Sequence, residues 1–223
     1  MKANEPTTSR STEDRRQVKA RRTRDALAEA AVALVLERGL GDVTVEAIAE
    51  RADVTRRTFS RHFAGKEDAA LDFTRADGAR INAALRERPA AEPPLLAYRR
   101  AVAEWLADRD TPGWHHRPQL RELYAAVDRE PALFAAYERI RVDAQDESVR
   151  IIAERLGTDP ARDIRPEVVV GAAAGVLTAA MRTWARGDGS DAEDLALLVA
   201  GAYDALIGEA ARSAATSDPA IRE

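Results

Sequence analysis

The 223-residue chain contains no cysteine, which removes disulfides, zinc–thiolate sites and cysteine nucleophiles together. Histidine numbers only three. Two of these, His115 and His116, are adjacent and would point about 100° apart on a helix. A metal pair needs a spacing nearer i, i+4, so no metal ligand is expected. No Gly-rich phosphate-cradling loop and no nucleophile–base pair occur after residue 66, so neither a cofactor nor catalysis is expected. Early residues lack the pattern of a secretory signal, and no uncharged apolar run reaches about 18 residues. The longest, residues 168–181, is short and rich in alanine and glycine. A soluble cytoplasmic protein without a membrane partner is the expectation. Alternating strand patterns and internal repeats are absent as well.

What is present is helix. The chain is 45% apolar and carries a net charge of −4, but the charge is uneven. Residues 1–66 hold fourteen Lys/Arg against ten Asp/Glu, and residues 67–223 hold twenty against twenty-eight. Seven cations fall between Arg10 and Arg24. A basic end on an acidic protein fits a DNA reader whose remainder does something else, or a merely solvated tail.

Periodicity predicts an all-α chain of about nine helices. Residues 1–17 read as a disordered basic arm, 18–66 as a helix-turn-helix DNA-binding domain, 67–214 as a ligand-binding and dimerisation domain, and 215–223 as a flexible tail. The first helix buries Ala26, Leu27, Ala30, Ala31, Leu34 and Val35 and ends at Gly39. A long helix is predicted from Lys66 to about Arg88, and Pro89, Pro93 and Pro94 mark a boundary. Later helices start near Leu95, Gln119, Pro131, Pro166 and Ala192.

The most informative stretch is residues 43–66, VTVEAIAERADVTRRTFSRHFAGK. Val45, Ile48, Ala49 and Ala52 make one apolar stripe, with Thr44 placed as its cap. Asp53-Val54 is the turn. Thr55 is placed to cap a second helix, on which Phe59 and Phe63 share a face. Arg56, Arg57, Thr58, Ser60, Arg61 and His62 occupy the other faces. A buried helix bracing a basic exposed one is what a reader of the DNA major groove needs.

Over about residues 20–66 the chain resembles the TetR/AcrR family of transcriptional regulators. The resemblance rests on Arg38-Gly39, Val43-Thr44-Val45, Ile48-Ala49, Ala52-Asp53-Val54-Thr55, Arg61-His62-Phe63 and Lys66, and RRTFSRHF is similar to an actinobacterial version of the motif. It implies double-stranded DNA as partner and His62 and Lys66 as phosphate contacts, while Thr44, at a helix N-terminus, is placed to offer its hydroxyl and nearby N–H groups to a phosphate. Arg56 and Arg57 lie where side chains meet bases, and Arg favours the guanine edge. Thr58 is placed for a thymine methyl or a backbone oxygen. Ser60 stands where the family often has Tyr, and Arg57 where Gly is frequent. Arg15, Arg16, Lys19, Arg21 and Arg22 are expected to add arm contacts.

For the second domain the resemblance implies a small-molecule effector and a homodimer. Trp105, His115, Arg121, Tyr124, Phe134 and Tyr137 are the candidate ligand residues, around a cavity of at least about 300 Å³. Ordinary core packing is the competing explanation for the aromatics. Broad apolar faces at Val169, Val176, Leu177 and Met181, and at Leu195, Leu198, Ala202 and Leu206, are the candidate dimer interface. Gly171 and Gly175 signal close helix packing. The reading is a ligand-responsive repressor on a palindromic operator. Its alternatives are a ligand-independent architectural dimer and, last, an all-helical enzyme.

Overall fold

The computed structural model describes residues 7–187 and 192–216 and contains only helices and their connections among them. Ten α-helices replace the expected nine: α1 Thr7–Arg38, α2 Val45–Arg51, α3 Arg56–Phe59, α4 Lys66–Ala70, α5 Asp72–Glu87, α6 Pro94–Ala107, α7 Pro118–Ala126, α8 Pro131–Leu156, α9 Arg165–Arg186 and α10 Ala192–Thr216. The extra helix arises because the predicted Lys66–Arg88 helix breaks at Leu71 (φ −101°, ψ 8°). Residues 217–223 of the expected tail lie outside the described residues, and Ala215 and Thr216 are helical.

The chain forms two compact units, residues 1–73 and 74–223. In the first, α1 is helical from Thr7, so the arm expected to be disordered is helix there. Between Thr7 and Arg38 the sequence has neither Gly nor Pro. The packed second half of α1 supplies the nucleus, and residues such as Arg, Gln, Glu, Lys and Ala extend it at little cost. Residues 15–22 are all exposed. Leu27, Ala30, Ala31, Leu34 and Val35 are buried, but Ala26, assigned to the same face, is exposed. Gly39 ends the helix at φ 78°, its N–H donating to Val35 O at 2.9 Å.

In the second unit, α9 is the central helix, packing on α6, α7, α8 and α10. Among the described residues α9 alone is long and apolar enough to cross a membrane, yet its Val170, Ala173, Leu177 and Ala180 are buried in the domain, as in a core helix. Four helices, α6 to α9, begin with Pro in the first turn, where its missing N–H costs nothing. α8 ends at Gly157 (φ 62°), and Thr158 N–H reaches back to Ala153 O at 3.0 Å. α5 meets α8 where a Cβ on Gly78 would lie 3.1 Å from that of Ala144, so a larger side chain there would push the helices apart. Beside that crossing Ser148 Oγ donates to Asn82 Oδ1 (2.6 Å) and Asn82 Nδ2 donates to Ala144 O (3.0 Å).

Candidate nucleic-acid interface and internal cavity

Both helices of the turn motif start on a hydroxyl. Thr44 Oγ1 accepts from Ala47 N–H and Thr55 Oγ1 from Thr58 N–H, each at 3.2 Å. Such caps satisfy N–H groups that a helix start leaves without partners. α2 ends with Asp53 in the left-handed region (φ 52°). Asp53 N–H donates to Glu50 O at 3.0 Å and Val54 N–H to Ala49 O at 2.9 Å. This pair of bonds is a Schellman turn, with Asp in the place usually taken by Gly. The turn is thereby fixed, and α3 leaves it at a defined angle. Phe59 and Phe63 are buried, with ring centroids 5.7 Å apart, and pin α3 to the core.

The regular part of α3 is four residues long, and Ser60–His62 continue it as a tighter turn, His62 N–H bonding Phe59 O at 2.8 Å. Arg56, Arg57 and Arg61 are exposed. Arg56 is paired with Glu46 of α2 at 2.8 Å. Arg57 and Arg61 form no ion pair among the described residues. Thr58 Oγ1 shares a hydrogen bond with Thr55 Oγ1 at 3.0 Å, and Ser60 Oγ donates to Arg56 O at 3.2 Å, so these three hydroxyls bond within the motif.

Two assignments change role. Lys66 does not reach outward: Nζ donates to Leu40 O (2.6 Å) and Val43 O (2.8 Å), clasping the α1–α2 loop. One of its three N–H donors is left for another acceptor. Arg24, counted only among the seven cations between Arg10 and Arg24, is structural. Its guanidinium chelates Asp72 at 2.5 to 3.2 Å, donates to His62 O at 2.8 Å and lies 4.3 Å from the centre of the Phe63 ring. His62 is half-buried, and burial followed by the charges of Arg24 and Arg61 holds its imidazole below the ordinary range. It therefore meets a neighbour at neutral pH as a hydrogen-bonding group more than as a cation.

In the second unit a cavity of about 80 Å³, partly open to solvent, lies between α5, α6, α7, α8 and α9. That is well short of the 300 Å³ expected from the sequence. Trp105, Tyr124 and Tyr137, three of the six candidate ligand residues, line it. The Tyr124 and Tyr137 hydroxyls meet at 2.9 Å, and Trp114 stacks on Tyr124 with centroids 4.6 Å apart. Burial pushes the Tyr98 phenol, also on the wall, up to about 12.

The other three proposed ligand residues are elsewhere. Phe134 is 41% exposed, its ring facing Arg182, because α8 turns that face to solvent. Arg121 lies on the Trp184 ring at 4.7 Å and donates to Trp184 O and Gly187 O, closing the end of α9. His115 is buried behind Trp105, edge-on at 4.8 Å, with neither ring nitrogen hydrogen-bonded. Burial and then the neighbouring His116 pull it down to about 4.

Sequence reasoning missed Asp77, which lines the cavity and is buried. Its carboxylate accepts from Trp114 N–H at 3.4 Å and pairs with Arg80 at 3.2 Å, while Arg80 reaches on to Asp108 at 2.5 Å. Burial pushes the Asp77 carboxyl up against the opposing pull of Trp105, Trp114 and Arg80. An acid on the apolar side of α5 was the available signal. No group of three or more potential metal ligands occurs among the described residues.

The proposed dimer faces divide. Leu177, Met181 and Leu195 are 6%, 9% and 0% exposed and belong to the chain's own core, the first two lining the cavity. Val169, Val176, Ala202 and Leu206 are half-buried, and Leu198 is exposed. The outward stripes are instead Val168, Gly171, Ala172, Gly175 and Ala179 on α9, and Leu197, Leu198, Gly201 and Ala205 on α10. A Cβ on Gly171 or Gly175 would meet nothing within 4 Å, so these glycines pack on nothing among the described residues of this chain.

Residues 27–70 match the family model of bacterial regulatory proteins, tetR family, and residues 92–210 match the model of the MftR C-terminal domain. The chain belongs to the TetR family. It is 39% identical over 197 residues to the HTH-type transcriptional regulator TcmR of Streptomyces glaucescens, covering 86% of this chain and 85% of that one. Among solved structures it is similar to the fatty acid degradation regulator FadR of Bacillus halodurans, with 19% identity, TM-score 0.51 and coverage of 83% and 95%. FadR of Thermus thermophilus, solved with lauroyl-CoA, matches at 24% identity and TM-score 0.51, covering 82% and 93%. These two likenesses show the fold. As a TetR-family protein the chain is a DNA-binding transcriptional regulator, and the capped α2–α3 pair is its helix-turn-helix.

Proposed function

We propose that this chain is a cytoplasmic, non-enzymatic repressor that binds a palindromic operator as a homodimer and leaves it when a small apolar effector occupies the second unit. The observation that carries the reading is the rigid presentation of α3. Two hydroxyl caps, the Asp53 turn and two buried Phe rings fix the helix, and Arg57 and Arg61 project from it. Phosphate contacts position such a helix and base contacts specify the sequence. Arg57→Ala is therefore expected to weaken binding to DNA from around the chain's own gene far more than binding to random DNA. Equal losses on both would remove Arg57 as a base reader.

An effector of ordinary size does not fit a cavity of 80 Å³ without moving its walls. In this reading the effector displaces the aromatic wall, and that differential fit is what shifts the protein between states. The tight packing favours a second reading, in which the domain serves dimerisation alone. A panel of apolar metabolites decides between them: a true effector raises the melting temperature and releases DNA over one concentration range, because the linkage is reciprocal.

A further inference from the structure

One stretch of α1 packs on nothing. Residues 15–22, RRQVKARR, are exposed on every side and hold five cations and no acid. A helix without an apolar face gains nothing from packing, and like charges one turn apart repel. Arg16, Lys19, Arg21 and Arg22 form no ion pair among the described residues. A polyanion would supply what this segment lacks.

Arg24 fixes how the segment is turned. Its guanidinium reaches Asp72, the His62 carbonyl and the Phe63 ring, so that side of α1 faces the C-terminal end of the recognition motif. Positions three, four, seven and eight residues before Arg24 share its side. They are Arg21, Ala20, Gln17 and Arg16. Lys19 and Arg22 point the other way, about 140° and 160° round the helix from Arg24. From Arg24 to Arg16 the helix advances about 12 Å. Within this one unit, the exposed cations Arg57 and Arg61 of the motif are thus followed, past His62, by Arg21 and Arg16.

An extended arm can lie in a minor groove, but a helix cannot. With its side chains a helix is about 10–12 Å across, whereas the minor groove is about 6 Å wide. We infer that residues 15–22 bind double-stranded DNA as a helix laid along the phosphate backbone beside the stretch that α3 reads, with Arg16 and Arg21 each on a phosphate and Lys19 and Arg22 turned away. The inference rests on the reading of α3 as the DNA-contacting helix.

Binding of the full chain to a random-sequence duplex and to a duplex from around its own gene, over a range of salt concentrations, tests it. Arg16→Ala/Arg21→Ala is expected to weaken binding to both by the same factor. It should also make the log–log salt slope shallower by about 1.8, twice the 0.9 of one phosphate contact. Lys19→Ala/Arg22→Ala removes the same charge and should change the slope by less than half as much. Ala20→Pro, which breaks the helix where it packs on nothing, should weaken binding as much as Arg16→Ala/Arg21→Ala and leave the melting temperature near that of the wild type. Equal slope changes in the two double variants would reduce the segment to diffuse positive charge. Wild-type binding by Ala20→Pro would make it an extended chain. Either result overturns the inference. A wild type that binds neither duplex would refute the reading of α3 and the inference with it. Sequence-specific binding unchanged in all three variants would refute the inference alone.

Discussion

Single side chains in this protein hold segments far apart in sequence. Arg24 is the clearest case, since one guanidinium ties α1 to Asp72, to the His62 carbonyl and to the Phe63 ring. Arg24→Ala should lower unfolding free energy by about 2 kcal/mol, the usual cost of lost charge-assisted hydrogen bonds. Arg21→Ala and Arg22→Ala, on the exposed part of α1, should change it by less than about 0.5 kcal/mol. Urea unfolding of the three variants checks this, and equal effects would contradict the structural role. His115 gives a second residue-scale outcome. Its folded value of about 4 lies below the ordinary 6.5, so between those values the unfolded chain binds more protons. Stability from this group is complete above pH 6.5 and is lost as pH falls toward 4, by a total on the order of 3 kcal/mol. Asp77, pushed up, acts in the opposite direction at acidic pH. The contribution of His115 is therefore read by difference: wild type should lose more stability than His115→Phe between pH 7 and pH 5.

At the scale of elements, what was legible in the sequence was local. Thr44 and Thr55 cap helices three residues away, and Phe59 and Phe63 share a face because they are four apart, so spacing alone placed them. Lys66 and Arg24 were opaque because their acceptors lie 23 to 48 residues away. The faces of α9 and α10 were opaque for another reason. Both helices are apolar nearly all round, so periodicity could not say which stripe turns inward, and Leu177, Met181 and Leu195 went to the core. The α2–α3 pair carries its own prediction. Glu46 neutralises Arg56 at 2.8 Å beside the recognition helix. Glu46→Gln should release that cation to phosphate, raise affinity for random DNA and steepen the log–log salt slope by about 0.9. An unchanged slope would mean that Arg56 meets no phosphate even when released.

For the whole molecule, one chain offers one recognition helix, which reads too few bases for an operator. The outward stripes of α9 and α10 are the surface on which a second copy is proposed to sit. Leu197→Asp, at a position 73% exposed, should yield a folded monomer by sedimentation, whereas Leu195→Asp, at 0%, should fail to fold. A dimeric Leu197→Asp protein would move the interface elsewhere. The most direct measurement on the account as a whole is selection of bound fragments from a random duplex library at fixed, near-physiological salt. The account predicts recovery of one inverted repeat, with half-sites centred about 34–36 Å or a multiple of it apart. Its recovered site should bind at least about a thousandfold tighter than the starting pool. A recovered pool with no shared sequence, bound no tighter than random DNA, would contradict it.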